Sequence, residues 1–257
     1  MNQAAQTLAA GIEAAPAPEW VEVLRLAVAG NRGPEPHASD TQCTLKAWAR
    51  RHGHDAGPTV EEAAQWIDGL AWDEWVRKVL PSRTLLISRG KEYEARGLRF
   101  TPDAVVLEDG RLVAIEFKHT RYSVDKPVRD MGSFIWQLAI YTALLPEATG
   151  LPTADYGYLL LLHSLGRNKK DYSENRPTLA AWRVRFAPSA LAAVAREAEE
   201  RARRVTGARR PAPDALWPWL CERCTVRQAI GCPGVKAAAA PARGWKRRTT
   251  ILRAEVL

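Results

Sequence analysis

From about residue 40 to residue 80 the apolar positions recur at helical spacing; after that they first alternate, or run together over strand-like lengths. His37-Ala38-Ser39-Asp40 ahead of Thr41-Gln42-Cys43 reads as a helix start, with Ser39 or Asp40 as N-cap and the helix reaching about Arg51. Before it lies a poorly patterned leader with one short helix around Trp20–Ala29. RHGHDAGPT is a loop, and TVEEAAQWIDGLAWDEWVRKVL predicts a long helix starting at Thr59, with Glu61 and Glu62 in its first turn. Three strands are predicted next, in TLLIS, LRFTPDAVVLE and RLVAIEFK. Glu108-Asp109-Gly110 joins the last two as a tight hairpin turn, because Asp-Gly supplies the positive φ such turns need. A helix over Val128–Leu145 follows, then strands in YGYLLLLH and AAWRVRF, then the amphipathic helix SALAAVAREAEERARRV. WPWLCERCTVRQAIGCPG is a Cys-rich cap, and the stretch after it is a basic tail. The order of elements predicts an α/β fold.

Composition narrows the class. The chain has 257 residues, of which 46% are hydrophobic, enough to bury a core of one large domain. A formal charge of +8 favours polyanionic partners, of which nucleic acid is the commonest. The first residues carry no basic start followed by a long apolar run, and no stretch of about 18 apolar residues occurs, so neither a secretory signal nor a membrane span is expected. The expected compartment is the cytoplasm, where four cysteines would be reduced and would favour metal binding over disulfides. No internal repeat and no G-x-x-x-x-G-K-[ST] loop is present, which argues against a built-in nucleotide motor.

The candidate chemistry centres on Pro102-Asp103 and Glu116-Phe117-Lys118. Strand alternation puts Glu116 and Lys118 on one face, and Phe117 with Ile115 and Val113 on the other. The hairpin can bring Asp103 close to the opposite strand, so two carboxylates and one ammonium would converge at one end of the sheet. Carboxylate oxygens suit Mg2+ or Mn2+. Such an ion polarises a phosphoryl oxygen and activates a water for phosphodiester hydrolysis, while a lysine orients that water or offsets charge on phosphorus. On the following helix Gln137 and Tyr141 are four residues apart and share a face, offering hydrogen bonds and a ring against which bases can pack.

Taken together, Pro102-Asp103, Glu116-x-Lys118 and Gln137-x-x-x-Tyr141 resemble the PD-(D/E)xK nucleases in their RecB-like branch. The resemblance spans roughly residues 100–141 and implies a restriction-endonuclease-like core with a mixed central sheet flanked by helices. It implies that Asp103, Glu116 and the Phe117 carbonyl bind the metal, that Lys118 is catalytic, and that Gln137 and Tyr141 hold DNA. The branch often places a His ligand on the helix before the hairpin. Here Glu61 stands in that place, with Glu62 and the loop residue His54 as weaker alternatives.

Cys221-x-x-Cys224, Cys232 and the remote Cys43 account for every cysteine. C-x-x-C lets two thiolates reach one metal, and by spacing alone the set suits Zn2+. One Cys before the nuclease motifs and three after them resemble the iron–sulfur subset of RecB-like nucleases, which includes the CRISPR-associated exonucleases of spacer adaptation. That resemblance implies a [4Fe-4S] cluster stapling the ends of the nuclease domain together. It further implies 5′-to-3′ cleavage at single-stranded DNA ends, and partnership with the CRISPR integrase in prespacer trimming. The alternatives are a RecB-like nuclease of another defence, phage or recombination system, and a DNA-binding scaffold with a degenerate metal site. The expected organisation is a leader over residues 1–38, a nuclease domain with its cysteine cap over 39–234, and a basic tail over 235–257.

Overall fold

Pro102 splits the long strand expected over residues 98–108, since a proline cannot donate to a ladder. In the computed structural model the described residues are 35–54, 57, 60, 63–64, 67, 70–71, 74, 85–120, 131–163, 178–217, 219–222, 224–234 and 251–256. A 3-10 turn over Ala38–Gln42 leads into helix α1 (Thr44–Arg51). Strands β1 (Leu85–Arg89), β2 (Tyr93–Ala95), β3 (Leu98–Phe100), β4 (Ala104–Glu108) and β5 (Arg111–Thr120) follow. Then come α2 (Gly132–Thr149), β6 (Tyr156–His163), β7 (Thr178–Phe186), α3 (Pro188–Thr206), the short helices α4 (Trp219–Glu222) and α5 (Thr225–Ala229), and β8 (Ile251–Val256).

Six strands form one mixed sheet in the order β1-β4-β5-β6-β7-β8, in which only the β5–β6 pair is parallel. That parallel pair requires a crossover, and α2 lies in it. β2 and β3 form a separate hairpin, turning at Arg96 and Gly97 with φ of 52° and 68°. The β4–β5 turn falls where expected. Asp109 and Gly110 have φ of 49° and 75°, and Glu108 pairs with Arg111.

Alternation assigns the two faces. Leu112 and Ala114 of β5, Leu159 and Leu161 of β6 and Val184 of β7 share one core with Leu138 and Ala139 of α2 and Ala198 of α3. Val113, Ile115 and Phe117 lie on the opposite face with Ala104, Val106 and Ala154. Helix α2 is buried nearly all round, and its fully buried side chains, such as Ile135 and Leu138, each contribute about 1.5–3 kcal/mol of burial. It comes so close to β6 that a Cβ on Gly157 would lie 2.7 Å from Leu138 Cδ1 and 2.9 Å from the Ala114 carbonyl oxygen. The helix ends at Gly150, whose φ of 70° lets its N–H reach the Pro146 carbonyl.

Near the start of the described chain, the helix expected from Ser39 or Asp40 is divided. His37 caps the 3-10 turn, and Cys43 is the extended N-cap of α1 rather than a residue inside it. The terminal segment read as a tail supplies edge strand β8. In the long helix expected from Thr59, the described positions 60, 63–64, 67, 70–71 and 74 are helical, while Glu61 and Glu62 lie outside the described residues. So do residues 128–130 and the Trp20–Ala29 helix. Among the described residues no helix is long and apolar enough to cross a membrane.

Candidate active site

Strand β5 outruns β4. Their last ladder pair is Ala104 with Ile115, after which the chain turns away through Asp103 and Pro102 while β5 continues to Thr120. Asp103 replaces the missing strand partner with its side chain, as the Phe117 N–H donates to Asp103 Oδ2 at 2.7 Å. In a strand, the N–H and C=O of one residue point to the same edge. The Phe117 carbonyl therefore faces the gap that the Asp103 carboxylate occupies. One register thus collects a carboxylate and a carbonyl oxygen at the strand end.

Glu116 and Lys118 share the helix-bearing face, as alternation requires, while Phe117 lies beneath in the opposite core. Asp103 is 7% exposed and Glu116 1%. A carboxylate so far from water needs a compensating charge. Lys118 supplies one, its Nζ forming an ion pair with Glu116 Oε1. The ammonium also sits 5.9 Å from the centre of the Phe134 ring, at the start of α2. Phe134 went unnoticed in the sequence, although it lies one turn before Gln137 on the same stripe of the helix.

Gln137 is half-buried on that stripe. Tyr141 is 2% exposed, and its ring stacks 6.0 Å from Phe100, which in turn stacks 5.7 Å from Tyr93. The Tyr141 ring is thus part of the core and presents no open face to a base. Of the two residues expected to hold DNA, Gln137 is the one with an accessible side chain. His54 is not brought to the carboxylates; it stacks on Trp48, whose cluster belongs to the cysteine cap.

The four cysteines come together across the chain. Cys43, Cys221, Cys224 and Cys232 all line one pocket, together with Leu45, Val226 and Ile230. All four are free thiols. Burial pushes the Cys43 thiol up to about 12, and the neighbouring Asp214, Cys224 and Cys221 act in the same direction. The Gly234 N–H donates to Cys232 Sγ at 3.3 Å. Among the described residues no three His, Cys, Asp or Glu side chains are drawn into a metal-ligand group.

Asp214 and Arg201 hold this pocket together. Asp214 accepts from the Thr44 N–H at 2.9 Å and the Thr44 hydroxyl at 2.6 Å, capping α1 beside Cys43. Arg201 of α3, 1% exposed, donates to Asp214 Oδ2 at 3.2 Å and to the Thr41 carbonyl at 3.0 Å. Thr41 in turn accepts from Trp136 Nε1 at 2.8 Å, linking the turn before Cys43 to α2. No local spacing in the sequence signals these long-range partners.

With this architecture in hand, comparison with solved structures gives the fold. The chain shares its fold with SSO0001. The crystal structure of SSO0001 aligns over 84% of this chain and 96% of its own, with a TM-score of 0.50 and 16% identity. An alkaline exonuclease (LHK-Exo) from Laribacter hongkongensis aligns over 72% of this chain and 92% of its own, with a TM-score of 0.38 and 11% identity. The same protein in complex with dAMP gives a TM-score of 0.37 and 13% identity over the same shares. At these two scores the overlap is too loose to define a common fold. No family model and no curated protein matches the chain.

Proposed function

We propose that this chain is a divalent-metal-dependent deoxyribonuclease with Asp103, Glu116 and Lys118 as its catalytic residues. One observation supports the reading: where β5 outruns β4, the buried Asp103 carboxylate accepts from the Phe117 N–H, and the flanking Glu116 is buried and ion-paired to Lys118. This all-oxygen donor set fits a hard cation such as Mg2+ or Mn2+. When bound, the ion polarises a phosphoryl oxygen and eases deprotonation of the attacking water. Lys118 holds its positive charge next to the reacting phosphate, offsetting the charge that develops there and hydrogen-bonding the attacking water. In the reaction a water oxygen forms a bond to phosphorus, the P–O ester bond breaks, and the leaving oxygen takes a proton. Gln137 binds the DNA beside the site, and Glu61, which lies outside the described residues, is the proposed further ligand.

The four thiols form a donor set chemically suited to a [4Fe-4S] cluster or to Zn2+, and the pocket gathers all of them. We assign Cys43, Cys221, Cys224 and Cys232 to that centre, with the cluster preferred because of the family resemblance. Action on single-stranded ends, 5′-to-3′ direction and a place beside the CRISPR integrase rest on the same resemblance and form part of the proposal. The test is cleavage of end-labelled single-stranded DNA in Mn2+. Wild-type protein cuts it, whereas Asp103→Ala and Lys118→Ala do not. Equal activity in all three proteins discards the catalytic assignment; no activity in the wild type discards it too and leaves the DNA-binding scaffold. Iron and acid-labile sulfide in anaerobically purified protein identify the cluster; stoichiometric zinc would replace it.

A further inference from the structure

The loop between β1 and β2 is tied to Asp103 through its backbone. The Gly90 N–H donates to the Asp103 carbonyl at 3.0 Å, so the next residue, Lys91, is tied to the backbone of a site residue. Lys91 is exposed, and its Nζ lies 5.3 Å from the centre of the Tyr93 ring. Tyr93 is itself fixed. It is 7% exposed, its hydroxyl meets Ser88 Oγ at 2.7 Å, and its ring stacks on Phe100 and through it on Tyr141. The nearest acid in sequence, Glu92, is engaged by Arg99 at 3.1 Å. Among the described residues Lys91 has no ion pair. An ammonium held over a rigid ring, beside the site and facing water, is arranged like Lys118 over Phe134, but without a carboxylate to neutralise it.

We infer that Lys91 binds a backbone phosphate of the DNA strand entering the site, one step away from the phosphate that is cut. This rests on the nuclease reading above. Lys91 would position the strand without touching the reacting atoms. Such a contact releases about one condensed counterion, so losing it flattens the salt dependence of binding in a sequence-independent way.

The experiment measures binding of a fluorescein-labelled single-stranded oligonucleotide to the full chain by anisotropy, in EDTA so that nothing is cut, across a salt series. Lys91→Ala is expected to weaken binding about five-fold at ~0.1 M salt and to lower the log–log salt slope by about 0.7. Lys91→Arg should keep both. Arg111→Ala, which removes an exposed charge at the opposite end of β5, controls for net charge and should change the slope little. If Lys91→Ala binds like wild type, or no worse than Arg111→Ala, while wild type binds and cuts in Mn2+, this inference fails and the nuclease reading stands. If wild type does not bind DNA at all, both fail.

Discussion

Phe117 and Asp103 meet across 14 residues of chain, whereas Thr44 and Asp214 meet across 170. The carboxylate site follows from one strand register: once β4 pairs with β5, Asp103, Glu116 and Lys118 have few other places to go. The cysteine pocket needs α1, α3 and the 213–234 segment to dock before Cys43 can face its three partners. The first site is therefore as stable as the sheet that carries it. The second depends on a single buried polar hub and can open while the sheet persists. The proposed catalytic residues lie at the end of one strand pair, and the four cysteines lie where distant parts of the chain meet.

The hardest test of that contrast is Arg201→Ala. It takes the buried guanidinium from Asp214, leaving only the more exposed Arg204 at 3.5 Å, and removes a donor from the Thr41 carbonyl. A loss of about 3 kcal/mol in urea unfolding is expected, the lower end for a broken buried pair, because Arg204 and Thr44 still partner Asp214. A loss below ~1 kcal/mol would show that the pocket is held by something else. Asp103→Asn should do the reverse. It keeps an oxygen for the Phe117 N–H but loses the charge, so DNA cleavage should fall roughly 10²–10³-fold. Its unfolding free energy should move by less than ~1 kcal/mol. A variant that loses stability and activity together would mean that the charge serves the fold first.

Gly157→Ala probes the one place where both regions lean on the same element. The added methyl would collide with Leu138 and with the Ala114 carbonyl, displacing α2 from β6. The expected cost is about 1–3 kcal/mol. Because α2 also carries Phe134 over Lys118 and Trp136 against Thr41, cleavage and pocket integrity should both decline. If cleavage declines and thiol accessibility in the pocket is unchanged, the Trp136–Thr41 link does not couple the two regions.

How much of this was legible in the sequence follows the same division. The Asp-Gly turn, the faces of Val113 through Lys118 and the meeting of Asp103 with the E-x-K strand are all set by local period and turn chemistry, and each is found as read. The split strand at Pro102 and the β2–β3 hairpin at Arg96-Gly97 were also written locally but passed over. Tyr141 illustrates the limit of helical spacing. Period places it on one stripe with Gln137, yet only packing against Phe100 shows that its ring is inside. Cys43 was expected within a helix and proves to be its N-cap, because the N–H of the next residue is satisfied by Asp214, far along the chain. Nothing in a local window encodes that partner.

The smallest expected effect separates the regions by pH. Burial raises the Cys43 thiol from an ordinary 9.0 to about 12 in the folded, metal-free protein. Below pH 9 the thiol is protonated in both folded and unfolded chains, and its titration contributes nothing. Above pH 9 the unfolded chain releases the proton and the folded one keeps it, so folding stability falls as pH rises, by at most about 1.4 kcal/mol per pH unit until the folded value is reached. Between pH 8 and pH 10 the metal-free wild type should therefore lose about 1.3 kcal/mol more than Cys43→Ser, which has no thiol to ionise. The measurement is urea unfolding of both proteins at the two pH values, in the presence of chelator. Equal losses would mean that the Cys43 thiol is wetter than its pocket implies, and that the cysteine cap is already open in the folded chain. A larger loss in the wild type, with Asp103→Asn behaving like the wild type throughout, would confine the pH response to the cap and leave the strand-built site out of it.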